Sequence, residues 1–494
     1  MFRSSVSPHV ILFALAALPG LALAFAGGSG SQVDPYQIAT AQHLDQVRND
    51  LTAYYVLIND IDLDTAPFNS GAGWEPIGDG ITPFTGQLDG AGFEIRNLFI
   101  NRPAENNVGL FGNTETGGAV PGATILDLVL SSVDVTGRGN VGALAGNASD
   151  GLRADGVSVN GSVVAEDSRA GCLSGRLRSD SIAENIHVSC ALTSNDTSTN
   201  VRIGGVAGEL EDDAMLINVH SEATVISVNN GGYVGGLIGE VENNAQILRS
   251  HFSGTVSGGR RVGGLAGQLQ GSILIAESWS SGSVTGEQEV GGLVGDLSST
   301  SSIVASFSTG ALTATGECVG GLVGLARGDS TVTDAYAWGP VSGGQLAGGL
   351  VGCAEGNSSV TTSYATGTVS GVDTGGLVAS VDGFATFTNS YWDRIATGQT
   401  SSAGLPQAWG LTTSEMQGAA AASNMAGFDF ADIWATVSGG YPVLQWQPPA
   451  GTPPSPPDPT PIPIVSHWMV LVLTLTILLL AAPALTRARR PARR

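Results

Sequence analysis

Between residues 108 and 379 the apolar positions fall into a repeat. A glycine-bounded pentapeptide recurs as VGLFG at 108, GALAG at 142, GCLSG at 171, GGVAG at 204, GGLIG at 235, GGLAG at 263, GGLVG at 291, 320 and 348, and GGLVA at 375. The spacings are 34, 29, 33, 31, 28, 28, 29, 28 and 27 residues. Counting from the first residue of each pentapeptide as zero, offset 12 is Ile247, Ile275, Ile303, Val332, Val360 and Phe387. Offset 21 is Val256, Val284, Leu312, Val341 and Val369. Ser, Thr and Gly fill much of the space between, and no long segment has the 3.6-residue period of a helix. Self-similarity at this period marks a solenoid in which each repeat adds one turn. Short β-branched strands between glycine turns make it an all-β, parallel β-helix-like solenoid. Ten rungs at about 4.8 Å would stack to about 50 Å.

The glycines have a mechanical reading. A backbone that turns every few residues needs positive φ or close approach, and Gly supplies both. The paired Gly opening the repeats, with Gly254, Gly282, Gly310, Gly339 and Gly367 at offset 19, are expected at the corners. A phosphate-cradling loop is the functional alternative, but no Lys or helix start follows any copy.

The flanks depart from the period. Thr40 to Leu51 reads as a short amphipathic helix with Leu44, Val47 and Leu51 on one side, an N-terminal cap for the first strands. Residues 390–446 are richer in aromatics and Met and read as a C-terminal cap. Met1 to Ala26 carries Arg3, an apolar stretch, and Ala24 and Ala26 before Gly27, the pattern of a cleaved export signal, with an uncleaved anchor as the alternative. Residues 448–463 hold nine Pro in sixteen positions, a semi-rigid spacer. Trp468 to Leu485 is uncharged over 18 residues and is followed by five Arg, which predicts a transmembrane helix with a cytoplasmic basic flank. The expected organisation is signal peptide 1–26, N-terminal cap and first strands 27–107, solenoid 108–389, C-terminal cap 390–447, linker 448–463, and sorting segment 464–494.

Charge narrows the function. The 494 residues carry 43 acids against 20 bases, every base is Arg, and the net charge is −23. All the acids and 14 of the Arg lie between residues 27 and 460. Without Lys there is no Walker loop, Schiff base or kinase-type Lys–Glu pair. An acidic body repels a phosphate backbone, which argues against nucleic acid as a partner. No His is followed by Glu, so the HExxH zinc-protease motif is absent.

The stretch WEPIGDGITPFTGQLDGAGFEIRNLFI (74–100), the pentapeptides and segments such as SYATGTVSG resemble the GLUG-motif proteins of bacterial surfaces, from Tyr36 through Trp446. That resemblance implies a right-handed β-helix or related solenoid and carries no catalytic residues. Ile462, Pro463, Ser466 and Trp468, with the apolar run and Arg cluster, resemble the IPTLxxWG sorting signal of Gram-negative bacteria. It implies processing by an exosortase-type transpeptidase and surface delivery. Ile464, Val465 and Met469 depart from the pattern, and a simple tail anchor is the alternative.

Offset 16 carries the candidate site. It reads His187, His220, His251, Trp279, Phe307, Tyr336, Tyr364 and Tyr391, a ring in eight successive repeats. Stacked rungs bring such rings together, which stiffens the coil. Two functional readings stand beside that one: a divalent metal on the three His, though no carboxylate recurs in the column, and a solvent-facing aromatic stripe for glycans. The stripe needs the chain to bend near offset 13, because offset 12 is apolar while offset 14 holds Arg249, Glu277, Asp334 and Asn389. Asp60, Asp62 and Asp64 alternate with Ile61 and Leu63 as on a strand edge. Thr65 and Gly71 occupy positions where a calcium loop needs Gly and Glu. Cys172 with Cys190 and Cys318 with Cys353 is the most local disulfide pairing for an exported chain, with buried free thiols as the alternative. No catalytic residue, metal ligand or cofactor is assigned. The expectation is a non-enzymatic exported surface protein, structural or adhesive, with an extracellular glycan or host surface as partner. The alternative is a polysaccharide-binding or polysaccharide-modifying β-helix.

Overall fold

The structure, a computed structural model, describes residues 25–114, 122–228 and 231–447. Residue 24 and those before it, the Pro-rich linker and the sorting motif Ile462, Pro463, Ser466 and Trp468 lie outside the described residues.

Parallel strands wind into an all-β solenoid of about eleven turns. One turn illustrates the rest. The chain runs through Ile238–Glu242, Gln246–Leu248, His251–Phe252, Thr255–Ser257 and Arg260–Gly263, and then starts the next turn at Ala266–Gln270. These strands fall on four faces. The first is a 10-stranded sheet ending at Val378–Val381, and the second a 13-stranded sheet beginning at Tyr36–Ile38. The third holds two columns of short strands, which in earlier turns are continuous strands such as His187–Ser194. The fourth is an 8-stranded sheet beginning at Arg169–Gly171.

In-register stacking converts the sequence repeat into a core. Ile247, Ile275, Ile303, Val332, Val360 and Phe387 are consecutive Cα partners on the second face. Val256, Val284, Leu312, Val341 and Val369 do the same on the third. All are buried except Phe387, which packs against the core half-buried. Each added turn covers the apolar surface that its predecessor leaves open.

The glycines stand at bends as expected: Gly236 lies between the fourth-face strand ending at Gly235 and the first-face strand starting at Ile238, and Gly254 between the two columns of the third face. The paired Gly at 235 and 236 do not have positive φ; their requirement is close approach. A Cβ at Gly236 would lie 2.2 Å from the Gly264 carbonyl oxygen and 2.3 Å from the Phe252 ring. The corner between the second and third faces has no glycine and is made by offset 14, where Arg249, Glu277, Ala305, Asp334, Thr362 and Asn389 have φ between 46° and 52°. A buried Ser at the next position holds several of these corners. Ser278 Oγ donates to the Ala276 carbonyl at 2.8 Å and accepts the Ser250 N–H at 3.1 Å. Backbone groups freed by the bend are thereby satisfied inside the protein.

Two parts of the expected architecture are corrected. The coil has about eleven turns, not ten, because the N-terminal segment contributes strands Tyr36–Ile38, Tyr54–Leu57 and Gln87–Asp89 to the second face. A transmembrane helix is not part of it: among the described residues no helix is long and apolar enough to cross a membrane. The segment expected to carry one lies outside them.

Helix is sparse. Ala41–Asp45 is helical, with Thr40 Oγ1 accepting the His43 N–H at 3.1 Å, and a 3₁₀ turn follows at Gln46–Asn49. Leu44 and Val47 are buried and Leu51 is half-buried. This element sits between the first two strands of the second face.

Candidate functional site

The offset-16 rings form a ladder because the strands that carry them pair in register, from His187 opposite His220 through to Tyr364 opposite Tyr391. From His220 to Tyr364 neighbouring rings stack, with centroids 4.0 to 5.7 Å apart and planes within 21°. The left-handed corner two residues earlier reverses the in-out alternation, which is why an apolar offset 12 coexists with rings at offset 16.

Two observations weaken the glycan stripe. Sugars stack on ring faces, and from His251 to Tyr336 both faces of each ring are taken by its neighbours. In addition, Phe307, Tyr336, Tyr364 and Tyr391 are buried, while His187, His220, His251 and Trp279 remain half-buried.

The cover comes from residues 413–447. Two short helices, Thr413–Met416 and Ala419–Asn424, and an antiparallel hairpin, Trp434–Val437 with Gly440–Leu444, pack on the ladder through Met416, Met425, Phe428, Trp434 and Leu444. The expected end cap therefore also lies along the side of the coil. Its bonds reach back several turns. Trp446 Nε1 donates to the Ala305 carbonyl at 3.0 Å, Trp434 Nε1 to Asp334 Oδ1 at 3.2 Å, and Gln447 Nε2 to the Tyr336 hydroxyl at 2.7 Å. The Tyr364 hydroxyl donates to the Pro442 carbonyl. Burial raises the Tyr336 and Tyr364 hydroxyls far above their usual range. At the open end, burial and then the His220 and His187 imidazoles lower His251 to about 3, and burial and then His187 lower His220.

A second constellation escaped the sequence reading. It lies where the fourth face turns into the first, at the two flanks of the pentapeptide. Offset 5 reads Asn113, Asn147, Arg176, Glu209, Glu240, Gln268, Asp296, Leu325 and Cys353, and these residues stack in register. Offset −2 reads Arg169, Arg202, Tyr233, Arg261, Glu289 and Cys318. Glu209 meets Arg169 at 2.6 Å, Arg176 at 2.7 Å and Arg202 at 3.4 Å. Arg202 also pairs with Glu240, and Arg176 with Glu211. Tyr233 lies between two guanidinium groups, 5.5 Å from Arg202 and 5.1 Å from Arg261. Farther on, Arg261 meets Glu289 at 2.8 Å and Asp296 at 3.1 Å, and Arg327 meets Asp296 at 2.6 Å. Glu209, Glu240 and Asp296 are almost wholly buried.

Burial raises the Glu240 carboxyl despite Arg202. Glu242 is pushed up to about 7, first by burial and then by the Glu240 and Glu209 carboxylates. The row ends at one side in the Cys318–Cys353 disulfide, which takes the offset −2 and offset 5 places of adjacent turns. At the other side lies a cavity of about 250 Å³ whose lining includes Glu75, Asp79, Arg102, Glu105, Asn107 and Asn113. The signal was the alternation of Arg and carboxylate just outside the repeated pentapeptide.

The remaining candidates fall elsewhere. Cys172 and Cys190 are joined within one turn, Cα atoms 6.2 Å apart. Asp62 accepts from Asn97 Nδ2 at 2.9 Å and Arg96 Nε at 3.1 Å, and Asp60 accepts the Glu94 N–H at 3.1 Å, so these carboxylates tie adjacent turns. Ala26 and Gly27 begin the described chain, where the Ala26 N–H donates to the Gln37 carbonyl at 3.0 Å.

The family profile described as the GLUG motif matches residues 230–257 and 343–370. Two of the repeats match the GLUG motif. Both matches run from just before the fourth-face strand that enters a pentapeptide to the offset-21 strand, a passage over all four faces. A relative named "Putative Gly-rich membrane protein" from Evansella cellulosilytica is 44% identical over 126 residues, covering 25% of this chain and 14% of that protein. An immunoglobulin A1 protease from Streptococcus sanguinis is 27% identical over 221 residues, covering 38% of this chain and 11% of that protein. The GLUG-bearing chain thus matches only a small part of either relative's length. A crystal structure described as a putative immunoglobulin A1 protease from Bacteroides ovatus superposes with a TM-score of 0.29 at 15% identity, covering 86% of this chain and 96% of that one.

Proposed function

We propose that this chain is a non-enzymatic surface protein that serves as a rigid structural or adhesive rod. The observation that carries the reading is the continuous in-register stacking of eleven turns, braced by the ring ladder and its hairpin cover. A coil with so many turn-to-turn ties holds its outward loops at fixed spacing, which suits display and matrix building. The export-signal pattern before Gly27 and the IPTL-like motif at Ile462 to Trp468 support delivery to the cell surface and processing by a transpeptidase. The buried carboxylates argue against turnover, since Glu209, Glu240 and Asp296 are committed to Arg partners.

One observation favours a second reading. Glu242, held near 7 beside Glu240, has the proton affinity of a general acid, as a polysaccharide-modifying β-helix would require. Incubating the purified protein with uronate and neutral polysaccharides and with immunoglobulin A1, with release of products as the readout, separates the two. Binding without products supports the rod. Turnover that is lost in Glu242→Gln overturns it in favour of the enzyme.

A further inference from the structure

His187 and His220 stand opposite each other on adjacent turns, with ring centroids 5.0 Å apart and planes at 44°. The following steps to Tyr364 all stack within 21°, so the ladder opens at this step. Glu222 follows His220 by two residues, and its Oε1 lies 3.5 Å from His220 Nε2. One ligand atom from each of His187, His220 and Glu222 lies within 4.8 Å of the other two. Ligand atoms sharing a tetrahedral zinc at bonds of about 2.0 to 2.1 Å sit about 3.3 Å apart. His220 and Glu222 are already near that separation, and a small rotation of the His187 ring brings in the third ligand. The Glu222 side chain is 51% exposed, which leaves it free to adjust and leaves room for water on the open side.

We propose that His187, His220 and Glu222 form a divalent transition-metal site that ties two adjacent turns. Two imidazoles and one carboxylate suit Zn²⁺, Co²⁺, Ni²⁺ or Cu²⁺; Ca²⁺ and Mg²⁺ need an all-oxygen set. The metal displaces the present contact of His220 Nε2 with Ser253 Oγ at 3.1 Å. His251 stacks on His220 at 4.0 Å and supports its ring without joining the ligands. The sequence column missed the site because the carboxylate comes from two positions further on, in a single turn.

The test titrates the purified full-length protein with Zn²⁺ by calorimetry and with Co²⁺ by visible absorption, alongside thermal unfolding. Expected are one bound equivalent, an upward shift of the unfolding midpoint with Zn²⁺, and no shift with Ca²⁺ or Mg²⁺. His187→Ala and the exposed-site variant Glu222→Gln should each weaken binding at least tenfold, whereas His251→Ala retains it. Absence of binding, or wild-type affinity in both His187→Ala and Glu222→Gln, overturns the assignment.

Discussion

Removing the indole at Trp434 tests whether the C-terminal hairpin braces the coil or merely follows it. Trp434 is fully buried against Tyr336, Tyr364 and Phe428, with ring centroids 6.2, 5.7 and 4.8 Å away. Replacing a buried Trp by Ala costs about 3 to 5 kcal/mol in lost transfer energy and cavity. The variant also removes the donor to Asp334 Oδ1, worth about 1 kcal/mol. Asp334 keeps its 2.6 Å bond from Thr362 Oγ1, so its carboxylate is not orphaned. A total of about 4 to 6 kcal/mol is a large loss for one hairpin and two short helices. In a quasi-one-dimensional coil the loss stays local. Residues 413–447 should therefore detach while most turns remain folded. Trp434→Phe, which keeps most of the volume, should lose only about 1 to 2 kcal/mol. The assay is urea unfolding followed by near-ultraviolet circular dichroism, with limited proteolysis under native conditions. Trp434→Ala should show an early transition and rapid cleavage within 413–447. A single unshifted transition with wild-type resistance to protease would refute the bracing role.

Three further outcomes follow from the ionic row and the disulfides. Glu242 titrates near 7 in the folded chain against its ordinary 4.5, so the unfolded state releases its proton first. Its contribution weakens stability as pH rises from about 4.5 to 7, and Glu242→Gln should flatten that part of a chemical-denaturation profile; an unchanged slope would show that the Glu240 and Glu211 carboxyls, also raised by burial, set it instead. Arg261→Met should cost about 3 kcal/mol in urea unfolding, because Asp296 is wholly buried and loses one of its two Arg partners. Adding Asp296→Leu should recover most of that loss, since Leu325 already fills the equivalent place one turn on. Each disulfide closes a loop of 18 or 35 residues, and reduction should lower stability by about 3 kcal/mol per bridge; thiol counting on the unreduced, unfolded protein should find none free.

The repeat was legible because a solenoid writes its structure into the sequence at one turn per period. Offsets 12 and 21 are apolar because those columns are buried, and offset 16 is aromatic because stacked strands leave one ring for each turn. The corner at offset 14 was not legible. Arg249, Glu277, Ala305, Asp334, Thr362 and Asn389 share no chemistry, and what they share is a left-handed φ imposed by the turns above and below. The ionic row was visible only in part. Arg169 and Glu209 are 40 residues apart, and nothing in either flank states that the two sheets turn back toward each other.

By itself the sequence determined the β-solenoid, its period and its apolar columns, because side chains in one register column must all suit one environment. Only the tertiary structure decided which rings face water. Phe307, Tyr336, Tyr364 and Tyr391 occupy the same column as His187, His220 and His251, yet a hairpin from beyond the repeats buries one group and leaves the other half-exposed. That difference is a long-range contact, and periodicity carries no information about it.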